Sequence, residues 1–240
     1  MSKGIVIIPT YNEIENIEEI INAVFSLKTE FHVLIVDDNS PDGTALKVKE
    51  LQEQFGDKLF LEVRQKKSGL GTAYVYGFRW AFEREYVYVF EMYADFSHNP
   101  KDLVKLFKAC EKGADVAIGS RYSTGVNVVN WPLSRVLLSY FASVYVKFIT
   151  GMKIHDATAG FICYRREVLE TIKLDRIKFI GYAFQIEMKY RAFVQKFNIV
   201  EVPIVFTDRT KGQSKMSGSI IREAVFGVIL LRIKKIFNTL

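Results

Sequence analysis

Only two cysteines occur in 240 residues, Cys110 and Cys163, far apart and in no CxxC pair, which excludes a disulfide-stapled scaffold and a thiolate zinc site. Their scarcity suits a reducing compartment, and a cytoplasmic location is expected. The three histidines, His32, His98 and His155, have no metal-ligand spacing and are assigned no catalytic role, although His98 falls close to a candidate site. The sequence does not open on a basic segment, a long apolar core and a small-residue cleavage site, so no export signal is expected. Its two most apolar late stretches, residues 136–146 and 224–231, fall short of the roughly 20 residues a spanning helix needs, and no bilayer crossing is expected. A long basic run and an RNP-type aromatic motif are both missing, which argues against nucleic acid as a partner. Repeats, low-complexity tracts and Pro/Gly/Ser linkers are missing too, so the chain reads as one unit.

What is present suits a globular enzyme. Hydrophobic residues make up 49% and charged residues 25%, enough apolar content for one well-cored domain and too much for a disordered chain. With 33 Lys and Arg against 27 Asp and Glu the net charge is +6, an excess that favours a nucleotide, a phosphorylated lipid or an anionic membrane surface.

Short β-rich runs alternate with amphipathic stretches through the first half. Runs at 5–8, 33–36, 59–63, 86–90 and 116–118 are interleaved with helical patterns at 13–27, 44–54, 70–83 and 101–112. This rhythm predicts βαβ units, hence an α/β, doubly wound, mostly parallel sheet with helices on both faces. Further on, helices are expected at 133–149, 184–196 and 219–237, and strands at 161–164 and 200–206. In such sheets ligands bind beyond the carboxyl ends of the strands, so the polar residues after each strand are the place to look.

The first strand ends in Pro9-Thr10-Tyr11-Asn12-Glu13, which also reads as a turn with Asn12 capping a helix. The second ends in Asp37-Asp38-Asn39-Ser40-Pro41-Asp42-Gly43. Two adjacent acids ending a buried strand cost free energy unless they bind something. Lys66-Lys67-Ser68-Gly69-Leu70-Gly71-Thr72 could set backbone N–H groups against an anion, but it matches neither a Rossmann nor a Walker A pattern. The fourth strand ends in Met92-Tyr93-Ala94-Asp95-Phe96-Ser97-His98. There Asp95 and Ser97 can point the same way and suit a hard divalent cation, Mg²⁺ or Mn²⁺, that holds a diphosphate. Asp156 reads equally as a general base or as a turn cap.

These segments, in this order and spacing, resemble family 2 glycosyltransferases, and most closely the dolichol-phosphate (polyprenol-phosphate) mannose synthases. Ile118-Gly119-Ser120-Arg121-Tyr122, Asn130-Trp131-Pro132-Leu133-Ser134-Arg135, Asp156-Ala157-Thr158-Ala159-Gly160-Phe161 and Asp208-Arg209-Thr210-Lys211-Gly212-Gln213-Ser214-Lys215 extend the likeness over about residues 4 to 218. The resemblance implies a single GT-A type domain over 1–218, with 219–240 an amphipathic helix suited to a membrane surface. It implies inverting transfer of mannose from GDP-mannose to a polyprenyl (dolichyl) phosphate. By the same likeness Pro9, Tyr11, Glu13, Val36, Asp38, Ala94, Asp95 and Ser97 would bind the donor, Asp95 and Ser97 facing the metal. Arg121, Arg135, Ser139, Arg209, Ser214 and Lys215 would bind the acceptor phosphate, and Asp95, Arg121, Arg209 and Lys215 would carry the catalysis. The expected location is peripheral, on the cytoplasmic face, and whether a separate membrane subunit anchors the chain is left open. One departure stands out: Tyr93 occupies the place of the first carboxylate of the family's Asp-x-Asp motif, and a neutral phenol is a poor ligand for Mg²⁺ or Mn²⁺. Transfer from another nucleotide sugar, and a binding-only variant, are the alternatives.

Overall fold

The computed structural model describes residues 3–181, 183–208 and 218–237, with side chains in the last segment described from residue 225. Seven strands form the central sheet: β1 (Gly4–Thr10), β2 (His32–Asp37), β3 (Leu59–Val63), β4 (Tyr88–Glu91), β5 (Val116–Ser120), β7 (Ile162–Arg165) and β8 (Ile199–Pro203). Their order is β3-β2-β1-β4-β7-β5-β8. All neighbours are parallel except β7, which runs antiparallel to both β4 and β5. A second, two-stranded sheet pairs β6 (Val128–Val129) with β9 (Phe206–Thr207), so the single strand expected over 200–206 is split in two.

The central strands are apolar on both faces because both faces are covered. Helices α1 (Ile17–Phe25), α2 (Thr44–Phe55) and α4 (Asp102–Glu111) pack on one side, around Val6, Ile8, Val33 and Leu106. On the other side α3 (Leu70–Phe82), α5 (Leu133–Thr150), α6 (Arg166–Thr171), α7 (Ala183–Val194) and α8 (Gly218–Ile236) surround Ile5, Ile7, Leu34 and Ile162. The predicted helices are present, with α6 additional. The first starts later than expected: Asn12 has a φ of 57° and Asn16 precedes the helix, because residues 12–14 turn to meet the loop after β2.

Two helices carry much of the exposed apolar surface, and one of them is longer than the apolar stretch read from the sequence. Helix α5 has 18 residues and a mean hydropathy of 1.2, which makes it long and apolar enough to cross a membrane by length and composition alone. The uncharged core 136–146 understated it, since the helix runs on through Arg135 and Lys147. It buries only Ser143, Val146 and Thr150, and leaves Leu133, Leu137, Leu138, Phe141 and Phe148 exposed. Beside it α8 buries Val228 and Leu231 and exposes Phe226, Ile229, Leu230, Ile233 and Ile236.

Candidate active site

The carboxyl ends of β1, β2, β4 and β5 open on one edge of the sheet, and the beginning of the antiparallel β7 meets the same edge. The loops on the β1–β3 side are tied to one another. Asp37, fully buried, accepts hydrogen bonds from Thr10 Oγ1 (2.7 Å), Ser40 N (2.8 Å) and Ser40 Oγ (2.6 Å). Asn12 N donates to Ser40 Oγ, Glu13 N to Thr44 Oγ1 and Ile14 N to Asp42 Oδ2. Burial favours the neutral form of Asp42, but hydrogen bonds from Thr44 and Ile14 outweigh it and hold this carboxyl below its ordinary value. Asp38 accepts from Arg64 Nε at 2.6 Å, while Arg64 Nη1 donates to Thr72 Oγ1 at 2.9 Å. The adjacent acids therefore find their partners within the protein. Arg64 went unread, although its place directly after β3 was the signal.

Tyr11 lies beneath the Lys67 ammonium, 4.4 Å from the ring centroid, and is half-buried, as are Pro9 and Glu13. Val36 and Ala94 are buried, Val36 completely. The glycine turn that leads into α3 is packed closely against Ile180 and Phe184. Gly71 N donates to Ile180 O at 2.9 Å, and a Cβ on Gly71 would stand 2.7 Å from the Phe184 ring. Gly69 adopts a φ of 102° against Ile180.

On the other side, Asp95, Ser97, Arg121, Arg135 and Ser139 line one cavity of about 350 Å³. Its walls are largely apolar: Leu138, Phe141, Ala142 and Val146 from α5, Val225 and Val228 from α8, and Trp131, Ile204 and Phe206 from the β6–β9 region. Asp95 Oδ1 accepts from Ser97 Oγ at 2.6 Å and from Ser97 N at 3.1 Å, so the two residues do converge. Arg121 is almost entirely buried and clamped: Nε donates to Asp156 Oδ2 (2.7 Å), Nη2 to Asp156 Oδ1 (2.5 Å) and to Thr158 Oγ1 (2.8 Å). Burial opposes ionisation of Asp156, but the Arg121 guanidinium prevails and keeps the carboxyl below its ordinary value. Asp156 is thus the partner of Arg121, and it also accepts from Thr158 Oγ1 at 3.5 Å, the turn contact the sequence suggested. Arg135 Nη1 donates to Asp208 Oδ1 at 2.8 Å. Arg209, Ser214 and Lys215 lie outside the described residues.

A buried polar layer supports this cavity. Glu201 of β8 accepts from Ser120 Oγ, Asp156 N and His155 N, fixing the loop that carries Asp156. Lys189 of α7, fully buried, donates from Nζ to Ala159 O (2.5 Å) and Gln185 O (3.1 Å). Gln185 in turn donates to Glu91. Burial raises Glu91 to about 7 and lowers Lys189 to about 8, Glu91 and Asp156 pulling the latter back up. The sequence signal was α7 itself, whose Gln185, Glu187, Lys189 and Arg191 cannot share one solvent face and are all buried.

Tyr93 turns its ring onto His98 (centroids 4.4 Å apart, 20° between planes), and His98 stacks on Phe161 at 4.7 Å. The Tyr93 hydroxyl fits against Gly160, where a Cβ would collide with it. Burial drives His98 down to about 3, so the ring is neutral, and its Nδ1 accepts from Tyr93 N at 3.3 Å. Among the described residues no group of three or more His, Cys, Asp or Glu converges. An all-protein metal cage is therefore excluded there. One carboxylate with an adjacent hydroxyl does suit a hard cation of the Mg²⁺ type, which is commonly held by one or two carboxylates together with substrate phosphates.

Comparison with known proteins agrees with this architecture. The family model described as "Glycosyl transferase family 2" matches residues 5–173. The polyprenol monophosphomannose synthase of Mycolicibacterium smegmatis is 50% identical over 94% of this chain and 85% of its own. The undecaprenyl-phosphate mannosyltransferase of Micrococcus luteus is 44% identical over 92% and 90%, and the dolichol-phosphate mannosyltransferase of Pyrococcus furiosus 40% identical over 91% and 60%. Among solved structures, glucosyl-3-phosphoglycerate synthase from Mycobacterium tuberculosis, in complex with Mn²⁺, UDP and glucosyl-3-phosphoglycerate, superposes with a TM-score of 0.69 at 16% identity, covering 95% of this chain and 79% of that one. A single-domain sheet of the GT-A type, with its polar loops gathered at one edge, is thus joined to close sequence kinship: the chain belongs to glycosyltransferase family 2 and is a glycosyltransferase.

Proposed function

We propose that the protein transfers mannose from GDP-mannose to a polyprenyl phosphate, with inversion, at the cytoplasmic surface of a membrane. One observation carries the reading: a single cavity joins Asp95, Arg121 and Arg135 to apolar walls from α5 and α8. That combination suits a ligand with an anionic head and a hydrocarbon body. The three curated relatives, each named for transfer of mannose to a polyprenyl-type phosphate, support it.

The chemistry follows from the charges. A phosphate monoester has a second pKa near 6 and is largely dianionic at neutral pH, so it attacks the anomeric carbon without a base. Asp156, the carboxylate nearest the acceptor cations, is committed to Arg121, in keeping with a site that needs cations rather than a proton acceptor. Arg121 spends Nε and Nη2 on Asp156 and Thr158, and both it and Arg135 of α5 line the cavity that would take the acceptor phosphate. On the donor side Asp38, Tyr11 and Glu13 hold the nucleoside, and Asp95 with Ser97 would hold a divalent cation. When bound there, the cation neutralises charge developing on the leaving GDP. The exposed apolar residues of α5 and α8, flanked by Lys147, Arg232, Lys234 and Lys235, rest on anionic head groups, which suits interfacial helices.

Incubation with GDP-mannose and undecaprenyl phosphate in micelles should yield mannosyl-phospholipid, whereas UDP-glucose should yield little. Faster transfer from the UDP-sugar would overturn the donor assignment. Tyr93, packed over His98 where the family has a carboxylate, favours a second reading in which the chain binds donor without turning it over. If Tyr93→Asp creates transfer where the unaltered chain shows none, that second reading holds.

A further inference from the structure

Trp131 lies against both guanidinium groups of the cavity. The Arg135 guanidinium carbon lies 4.1 Å from the indole centroid and that of Arg121 lies 5.5 Å from it. Asp156 and Asp208 each neutralise one of these arginines. What the two cations share is the electron-rich ring, and an indole face attracts guanidinium groups more strongly than any other side-chain ring. Phe206 braces the indole edge at 5.1 Å and 70°, and β9, which carries Phe206, is paired with β6 just before Trp131. The indole Nε1 is buried and has no hydrogen-bond partner among the described residues. The ring is therefore held by its face and edge contacts, and its placement is coupled to that of both arginines.

We infer that Trp131 is a positioning residue of the acceptor site: it fixes the separation and tilt of Arg121 and Arg135 so that one phosphate monoester engages both. The inference rests on the polyprenyl-phosphate reading above and adds to it the residue that sets the spacing. Arg121 is already held by Asp156 and Thr158, so Arg135 is the partner whose orientation depends most on the ring. Loss of the ring leaves Arg135 with Asp208, more exposed and no longer aimed at the phosphate.

Steady-state kinetics of the full chain with GDP-mannose and undecaprenyl phosphate in micelles tests this. Trp131→Leu should raise the acceptor KM about tenfold, with the donor KM and the saturated kcat held within about twofold; Trp131→Phe, which keeps an aromatic face, should recover most of the loss. A separate measurement does not depend on altering the ring. The chain has two tryptophans, Trp80 and Trp131, so Trp80→Phe leaves Trp131 as sole reporter. Its emission should respond to undecaprenyl phosphate and stay unchanged with undecaprenol. An unaltered acceptor KM in Trp131→Leu, a parallel rise of both KM values, or equal emission changes with lipid and phospholipid would each overturn the inference. A wild-type chain that binds GDP-mannose but neither binds nor uses undecaprenyl phosphate gives a different pattern, in which the acceptor reading itself falls and takes this inference with it.

Discussion

The β1–β3 side and the β5–β7 side of the cleft are built on different plans. Around β1, β2 and β3 the polar groups satisfy one another within a loop or between the loops of adjacent strands: Asp37 with Thr10 and Ser40, Asp42 with Thr44, Asp38 with Arg64. Around β5 and β7 Arg121 and Lys189 are deep while Arg135 is partly exposed, and each partner comes from a segment at least 30 residues away: Arg121 with Asp156, Lys189 with Ala159, Arg135 with Asp208. Loop-to-loop pairing makes a rim that keeps its shape at little cost. Deep pairing lets cations face an apolar cavity, and each cation then depends on one distant anion.

Arg121→Ala should break the contrast most severely. It strands Asp156 buried and unpaired, a loss of about 3–5 kcal/mol, read as a fall in the urea midpoint together with loss of transfer. Arg64→Ala, at the rim, should cost about 1.5–3 kcal/mol by the same measurement. Equal losses for the two would erase the distinction. The next effect is a slope rather than a step. Burial lets the folded chain keep a proton on Glu91 up to about pH 7, whereas the unfolded chain releases it near 4.5. The native state thus binds more protons across that window, and stability falls as pH rises through it. Glu91→Gln should remove this contribution, so urea unfolding at pH 5 and pH 7 should show the variant gaining on wild type at the higher pH. A constant difference would mean that Glu91 is ionised throughout. Smallest in stability is Arg135→Ala, whose partly exposed pair with Asp208 is worth under about 1 kcal/mol. Its effect belongs in the acceptor KM.

The same contrast governs what the sequence made legible. Strands β1 to β5 and the loops after them could be read because a doubly wound sheet places its polar residues directly beyond each strand, as at Asp38 and Asp95. The close packing at Gly71 was not legible because its neighbour is Phe184, a residue of a distant helix. The roles of Asp156 and Lys189 depended on which remote atoms the fold brings to them, and so did the bidentate pairing of Arg121. The start of α1 was missed for a related cause: residues 12–14 gave their N–H groups to side chains of the next loop.

The reversed strand also orders events in time. Asp95 follows β4 and Arg121 follows β5, yet those two strands share no ladder; each is zipped to β7, which leaves the ribosome after both. The loops after β1, β2 and β3 belong to strands that all precede β4 in the chain. Asp95 and Arg121 are brought to their final separation only when the latecomer wedges between β4 and β5.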